Sequence, residues 1–133
     1  MPAFAHSAEK VIFNPSVSQN VSEKQLRSIF SMRRRNWENG MPIRVFVLPD
    51  SHPVHKAFCK MTLGIFPHRL RKTWDRLVFT GTGQAPEEIA SEQAMLEKIR
   101  QTPGAIGYIS ADKIDGSVRT LPQDKDKDNA DNQ

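Results

Sequence analysis

The residues best suited to chemistry in this chain sit at Pro49-Asp50-Ser51-His52-Pro53, where a β-branched apolar run, residues 43–48, meets an apolar stripe of helical period at Val54, Ala57, Phe58 and Met61. A strand-to-helix junction of this kind sets backbone N–H groups and the positive end of a helix dipole at the carboxyl edge of a sheet, which suits phosphate or sulfate. The Ser51 hydroxyl and the His52 imidazole add donors for an anion, whereas Asp50 opposes one unless it turns away. The same residues also read as a plain helix start, because Asp, Ser and His all cap and Pro is tolerated in the first turn. A second junction follows the run Lys10-Val11-Ile12-Phe13, where Asn14-Pro15 marks a turn and makes Asn14 a further candidate ligand.

Positive charge is densest at Arg33-Arg34-Arg35. Guanidinium forks fit phosphate, so Arg33 and Arg35 are candidate anion contacts. The alternative is a solvated helix C-terminus, where cations complement the dipole. A later helix carries His68, Arg69, Arg71, Lys72 and Arg76, which with the arginine run and Trp37 outline a polyanion face. No helix-turn-helix, zinc-finger or aromatic-rich RNA-binding pattern accompanies them, so nucleic acid is not the expected partner.

Motifs for catalysis are missing: there is no nucleophile elbow, P-loop, H-E-x-x-H or C-x-x-C. The four histidines lack metal-ligand spacing, and Thr80-Gly81-Thr82-Gly83 is too short for a dinucleotide loop. With the single Cys59, an intramolecular disulfide is impossible, and the residue reads as a small buried hydrophobe. These observations lead us to expect no enzyme, no metal and no cofactor.

The elements that must position the candidates follow from periodicity and caps. Ser22-Glu23-Lys24-Gln25 is a capping box, and Leu26, Ile29 and Phe30 place an amphipathic helix over residues 23–32. Further helices are expected to start at Asp50-Ser51-His52, Pro67 and Ser91 and to end near Gly64, Thr80 and Pro103. Strands are expected at residues 10–14, 43–48 and 105–109, with a short one at 117–121. The fold class is therefore α/β, a single three-layer lobe with a mostly parallel sheet of three to four strands flanked by helices. The length of 133 residues fits one domain over residues 10–121, between a disordered N-terminus, 1–9, and a disordered charged tail, 122–133. The formal net charge is +4; residues 123–133 hold four Asp and two Lys, a net of −2, so the body carries +6 and favours anionic partners. No apolar run is long enough to span a membrane.

Several segments, in order, carry a family likeness. Val11-Ile12-Phe13-Asn14-Pro15 resembles a "V-x-N" strand, and Leu26, Ile29 and Phe30 followed by Trp37 resemble an "L-x-x-I-F-x-G-x-x-x-x-W" segment. Met41-Pro42-Ile43-Arg44-Val45 resembles "G-x-P-I-x-x-V", and Pro103-Gly104-Ala105-Ile106-Gly107-Tyr108 matches "P-G-A-I-G-Y". The set resembles phosphate-type periplasmic solute-binding proteins, in particular their short stand-alone members. The resemblance implies a type II periplasmic-binding-protein-like lobe and a non-enzymatic module that holds phosphate or another small anion. Of the family's Arg and Ser-Gly-Thr phosphate loop, only Ser51 carries over, and Pro53 removes one backbone donor. Other readings are a module that has lost its solute and docks onto a transporter, porin or sensor of a phosphate system, as a monomer or a homodimer, and a basic nucleic-acid-binding domain. The implied location is periplasmic, with a signal peptide absent or removed in this chain; Ala3-Phe4-Ala5 has the form of a cleavage site without the preceding apolar region.

Overall fold

The computed structural model of the chain describes residues 9–121. The tail at 122–133 and the Ala3-Phe4-Ala5 sequence lie outside the described residues. Of the N-terminal stretch expected to be disordered, Glu9 is described, and it opens the first strand rather than preceding it.

The elements run β1 (Glu9–Phe13), α1 (Glu23–Phe30), β2 (Arg44–Val47), α2 (Pro53–Ala57) continuing into a π-helical turn (Phe58–Leu63), α3 (Pro67–Thr80), β3 (Glu87–Glu88), α4 (Glu92–Gln101), β4 (Ala105–Ser110), a 3₁₀ turn (Ala111–Lys113) and β5 (Arg119–Thr120). The capping box forms as its sequence demands. Gln25 N–H donates to Ser22 Oγ at 3.1 Å, and Ser22 N–H donates to Gln25 Oε1 at 2.8 Å. Ser91 caps α4 by accepting from Ala94 N–H at 3.1 Å. Gly64 closes the π-helical turn at φ 70°, and Gly81 closes α3 at φ 73°.

The five strands form one sheet in the order β3-β2-β4-β1-β5. β2 pairs in parallel with β3 and β4, whereas β1 pairs antiparallel with β4 and β5. The α/β lobe with helices over a sheet is thus as expected, but the sheet is mixed rather than mostly parallel and has five strands rather than three to four. The connection out of β1 explains the mixing. Phe13 lies opposite Ile106 and Arg44 lies opposite Ala105, so β1 ends and β2 begins at the same end of the sheet. A parallel crossover would have had to carry the chain back to the other end first. The extra strand, β3, is a two-residue ladder of glutamates with no apolar signature.

Successive residues of β4 point to opposite faces. Gly107 faces α4 so closely that a Cβ there would lie 2.7 Å from Met95 Sδ and 3.0 Å from Ile99 Cδ1. Tyr108, on the other face, stacks on Phe58 with ring centroids 3.9 Å apart and planes at 11°. Phe30 of α1 meets the same cluster edge-on, 5.0 Å from Phe58. α3 joins this layer through Trp74, whose Nε1–H donates to Phe30 O at 2.8 Å. Helices therefore cover both faces, and Phe13, Phe30, Phe46, Trp74 and Tyr108 are fully buried between the layers.

The loop before β2 is fixed by Trp37, whose Nε1–H donates to Gly104 O at 3.0 Å. Gly104 has φ 78°, and a Cβ on it would lie 2.4 Å from Pro42 O. Gly104→Ala is expected to lower stability in urea unfolding by at least the about 1–3 kcal/mol of a strained backbone, with the carbonyl clash adding to that.

Candidate functional site

The Pro49–Pro53 loop leaves the carboxyl end of β2, beside the parallel strands β3 and β4, where such sheets place ligands. His52 is the helix cap: its Nδ1 accepts from Val54 N–H at 3.1 Å. Neutral His52 therefore carries its proton on Nε2, which has no partner among the described residues. Ser51 is exposed and its hydroxyl is likewise without a partner there. Asp50 does turn away. It is held by Arg71 of α3 in a two-pronged pair, Nε to Oδ2 at 2.9 Å and a terminal nitrogen to Oδ1 at 3.0 Å. The hydrogen-bonded guanidinium holds the Asp50 carboxyl below its usual range, and Asp50 in turn raises Arg71. Arg71 also lies 3.7 Å from Glu88 and 3.9 Å from Asp75, so three carboxylates surround it and little positive field reaches the loop.

Behind the loop is a buried polar chain that sequence reasoning missed. Leu48 N–H donates to Tyr108 Oη at 2.9 Å, and the same hydroxyl is hydrogen-bonded to His55 Nδ1. If the hydroxyl donates to Nδ1, the remaining imidazole proton sits on Nε2, 3.4 Å from Cys59 Sγ and 3.7 Å from Asp50 Oδ1. This tautomer gives the tyrosine proton an acceptor, whereas the other would strand it in a dry core. Burial lowers the His55 pKa, and the Asp50 charge opposes that shift. Burial also pushes the Cys59 thiol up to about 12 and raises the Tyr108 phenol. A nucleophilic cysteine must be a thiolate, so the His55–Cys59 pair is built for packing and hydrogen bonding rather than attack. The one signal in the sequence was the i, i+4 spacing of His55 and Cys59 on one helix.

The six sequence candidates do not converge. Asp50, Ser51 and His52 share the loop after β2. Asn14 is at the opposite end of the sheet, where its N–H donates to Ala105 O, its Nδ2 donates to Ile99 O at 2.9 Å and Arg100 O at 3.0 Å, and its Oδ1 accepts from Ser16 N–H. Those bonds tie β1 to the end of α4. Arg35 lies near Arg34 and Arg44 and donates to Thr82 O at 2.8 Å. Arg33 lines a separate cleft between α1 and α3. No group of three or more His, Cys, Asp or Glu among the described residues is placed to hold a metal.

Comparison with known proteins identifies the fold. No protein-family model and no curated protein sequence matches the chain. Among solved structures it is similar to an ABC-type phosphate transport receptor from Vibrio cholerae, with 18% identity and a TM-score of 0.68, covering 91% of this chain and 49% of the receptor. It is also similar to PstS from Borrelia burgdorferi, with 20% identity and a TM-score of 0.67, covering 94% of this chain and 52% of PstS. The chain thus has a fold found in phosphate-transport receptors and spans about half the length of the structures it matches.

Two outcomes follow from the buried chain. Tyr108→Phe leaves Leu48 N–H and His55 Nδ1 without their partner and should cost about 1–3 kcal/mol in chemical denaturation. His55 titrates below 6.5 in the folded protein, so the unfolded chain binds more protons just under that pH and stability falls as pH drops through the window. Asp50, titrating below 3.8, adds a further loss of the same sign at lower pH. Thermal melts at pH 7.5 and pH 5 should differ in that direction, and the difference should shrink in His55→Gln.

Proposed function

We propose that the chain is a non-enzymatic, periplasmic binding module for phosphate or a similar small anion, with Ser51 and His52 as its contacts. The observation that carries this reading is the fold similarity to the Vibrio cholerae phosphate transport receptor over 91% of the chain. The loop's position at the carboxyl edge of β2 and the unpartnered donors of Ser51 and His52 add to it. The same geometry limits the affinity. Pro53 supplies no N–H, Val54 N–H is taken by His52, and Arg71 is committed to Asp50. A single wall facing water should bind phosphate weakly, with a dissociation constant on the order of 1 mM. Titration of the labelled protein with phosphate should shift the amides of Ser51, His52 and Val54, and Ser51→Ala should weaken that response. An absence of shifts there up to several times that millimolar scale would overturn the assignment.

A second reading has its own support. Met61, Phe66, Val78 and Phe79 are exposed large hydrophobics, with Phe79 91% accessible. Such side chains suit a protein contact, as in a module that docks onto a transporter, porin or sensor of a phosphate system, or onto a second copy of itself. Sedimentation of the protein should then show a dimer that Phe79→Asp dissolves if the partner is a second copy, and a monomer otherwise.

A further inference from the structure

We propose that the cleft between α1 and α3 is a second anion site, separate from the Ser51 loop and suited to a linear run of phosphate groups. The cleft has a volume of about 1010 Å³. Lys24, Arg27 and Arg33 line it from the α1 side, and Arg69, Lys72 and Arg76 from α3, with no Asp or Glu in its walls. None of these six cations belongs to an ion pair among the described residues. Four cations on other faces are paired: Arg71 with Asp50, Arg44 and Lys98 with Glu87, and Arg100 with Glu97. α3 therefore sorts its own charges, sending Arg71 to a carboxylate and leaving the neighbouring Lys72 in the cleft without one.

Spacing sets the shape of the ligand. Arg69, Lys72 and Arg76 stand at i, i+3 and i+7, one ridge of the helix roughly 10 Å long. Lys24 and Arg27, at i and i+3, form a shorter ridge on the facing helix. Like charges so spaced repel one another along a helix, and a chain of anions laid between the two ridges removes that repulsion. One phosphate ion reaches too few of the six cations to do so. The Ser28 hydroxyl, also in the wall, adds a donor with no partner among the described residues.

The chain of phosphates could be free condensed phosphate or the backbone of a short single strand of nucleic acid. Phe66 distinguishes the two. It lies in the wall of the cleft, 57% exposed, with its ring beside that of His68 at 6.1 Å and 19°. An exposed ring next to a basic groove offers a nucleobase a stacking surface, which condensed phosphate does not use.

The test is a titration of the whole chain, at low salt, with orthophosphate, tripolyphosphate and an oligothymidylate, followed by amide shifts and calorimetry. At least one of the two phosphate chains should bind at least tenfold more tightly than orthophosphate, with shifts at residues 24–33 and 69–76, and should weaken steeply as salt is added. Arg69→Glu with Arg76→Glu should abolish that binding with the circular dichroism unchanged, and Arg69→Lys with Arg76→Lys should keep most of it. A Phe66→Ala loss confined to oligothymidylate assigns the site to a base-bearing strand. Tight tripolyphosphate binding indifferent to Phe66, without oligothymidylate binding, assigns it to condensed phosphate. Equal affinity for tripolyphosphate and orthophosphate with no oligothymidylate binding overturns the proposal, as does binding that survives the double glutamate variant. Shifts from orthophosphate at Ser51, His52 and Val54 report on the other site, so either assignment can fail alone.

Discussion

The hydroxyl of Tyr108 is the contact on which the rest of this structure leans. It is fully buried in the middle of β4, yet it bonds to the Leu48 backbone at the end of β2 and to His55 on α2. One oxygen thus holds the last turn of a strand, the start of the next helix and the central strand together. The ring adds the stack on Phe58, which presses the π-helical turn onto the sheet. The wider turn of a π-helix is tolerated where packing favours it, and here Phe58, Cys59 and Leu63 are all buried from within it. Through His55 and Asp50 the same contact reaches the guanidinium of Arg71, so the exposed loop at Ser51 is backed by a continuous polar network.

Charge is divided between two regions. Along β2 and β3, acids and cations neutralise one another in a chain of pairs from Arg44 and Lys98 through Glu87, and at the carboxyl edge from Glu88 through Arg71 to Asp50. Across the α1–α3 cleft, cations face one another with no acid in the walls. A modest net charge of +4 hides this division. It matters because the place where the sheet topology puts a ligand has its charges paired, while six cations without acid partners line a cleft between two helices.

The parts of the fold that were legible in the sequence are those governed by local chemistry. Ser22 and Gln25 form their box, Ser91 caps its helix, and Gly64 and Gly81 close theirs, because each needs only neighbours within a turn. Leu26, Ile29 and Phe30 are buried as their spacing requires. β3 was illegible, since two glutamates owe their ladder to Phe46 and Val47 forty residues earlier. The direction of β1 was equally hidden, because an apolar run reads the same whichever way its neighbour points. For the candidate site, residue type singled out Ser51 and His52, and the structure places both in the loop after β2. The partner of Asp50 was not: Arg71 belongs to a basic helix whose other cations face elsewhere, and only the rotation of α3 about the indole of Trp74 decides which of them turns inward.

Both edges of the sheet are closed by strands of two residues, and the charge they carry has a consequence for assembly. β3 presents Glu87 and Glu88, and β5 presents Arg119, whose guanidinium is turned back to Val17 O and lies 5.2 Å from the Phe13 ring. A short, charged edge is a poor template for another strand. The sheet cannot readily be lengthened by a neighbour's backbone, so it is protected from stacking into fibres. Any larger complex this lobe enters must be joined through its helices and loops, by side chains, leaving its hydrogen-bonded ladder closed.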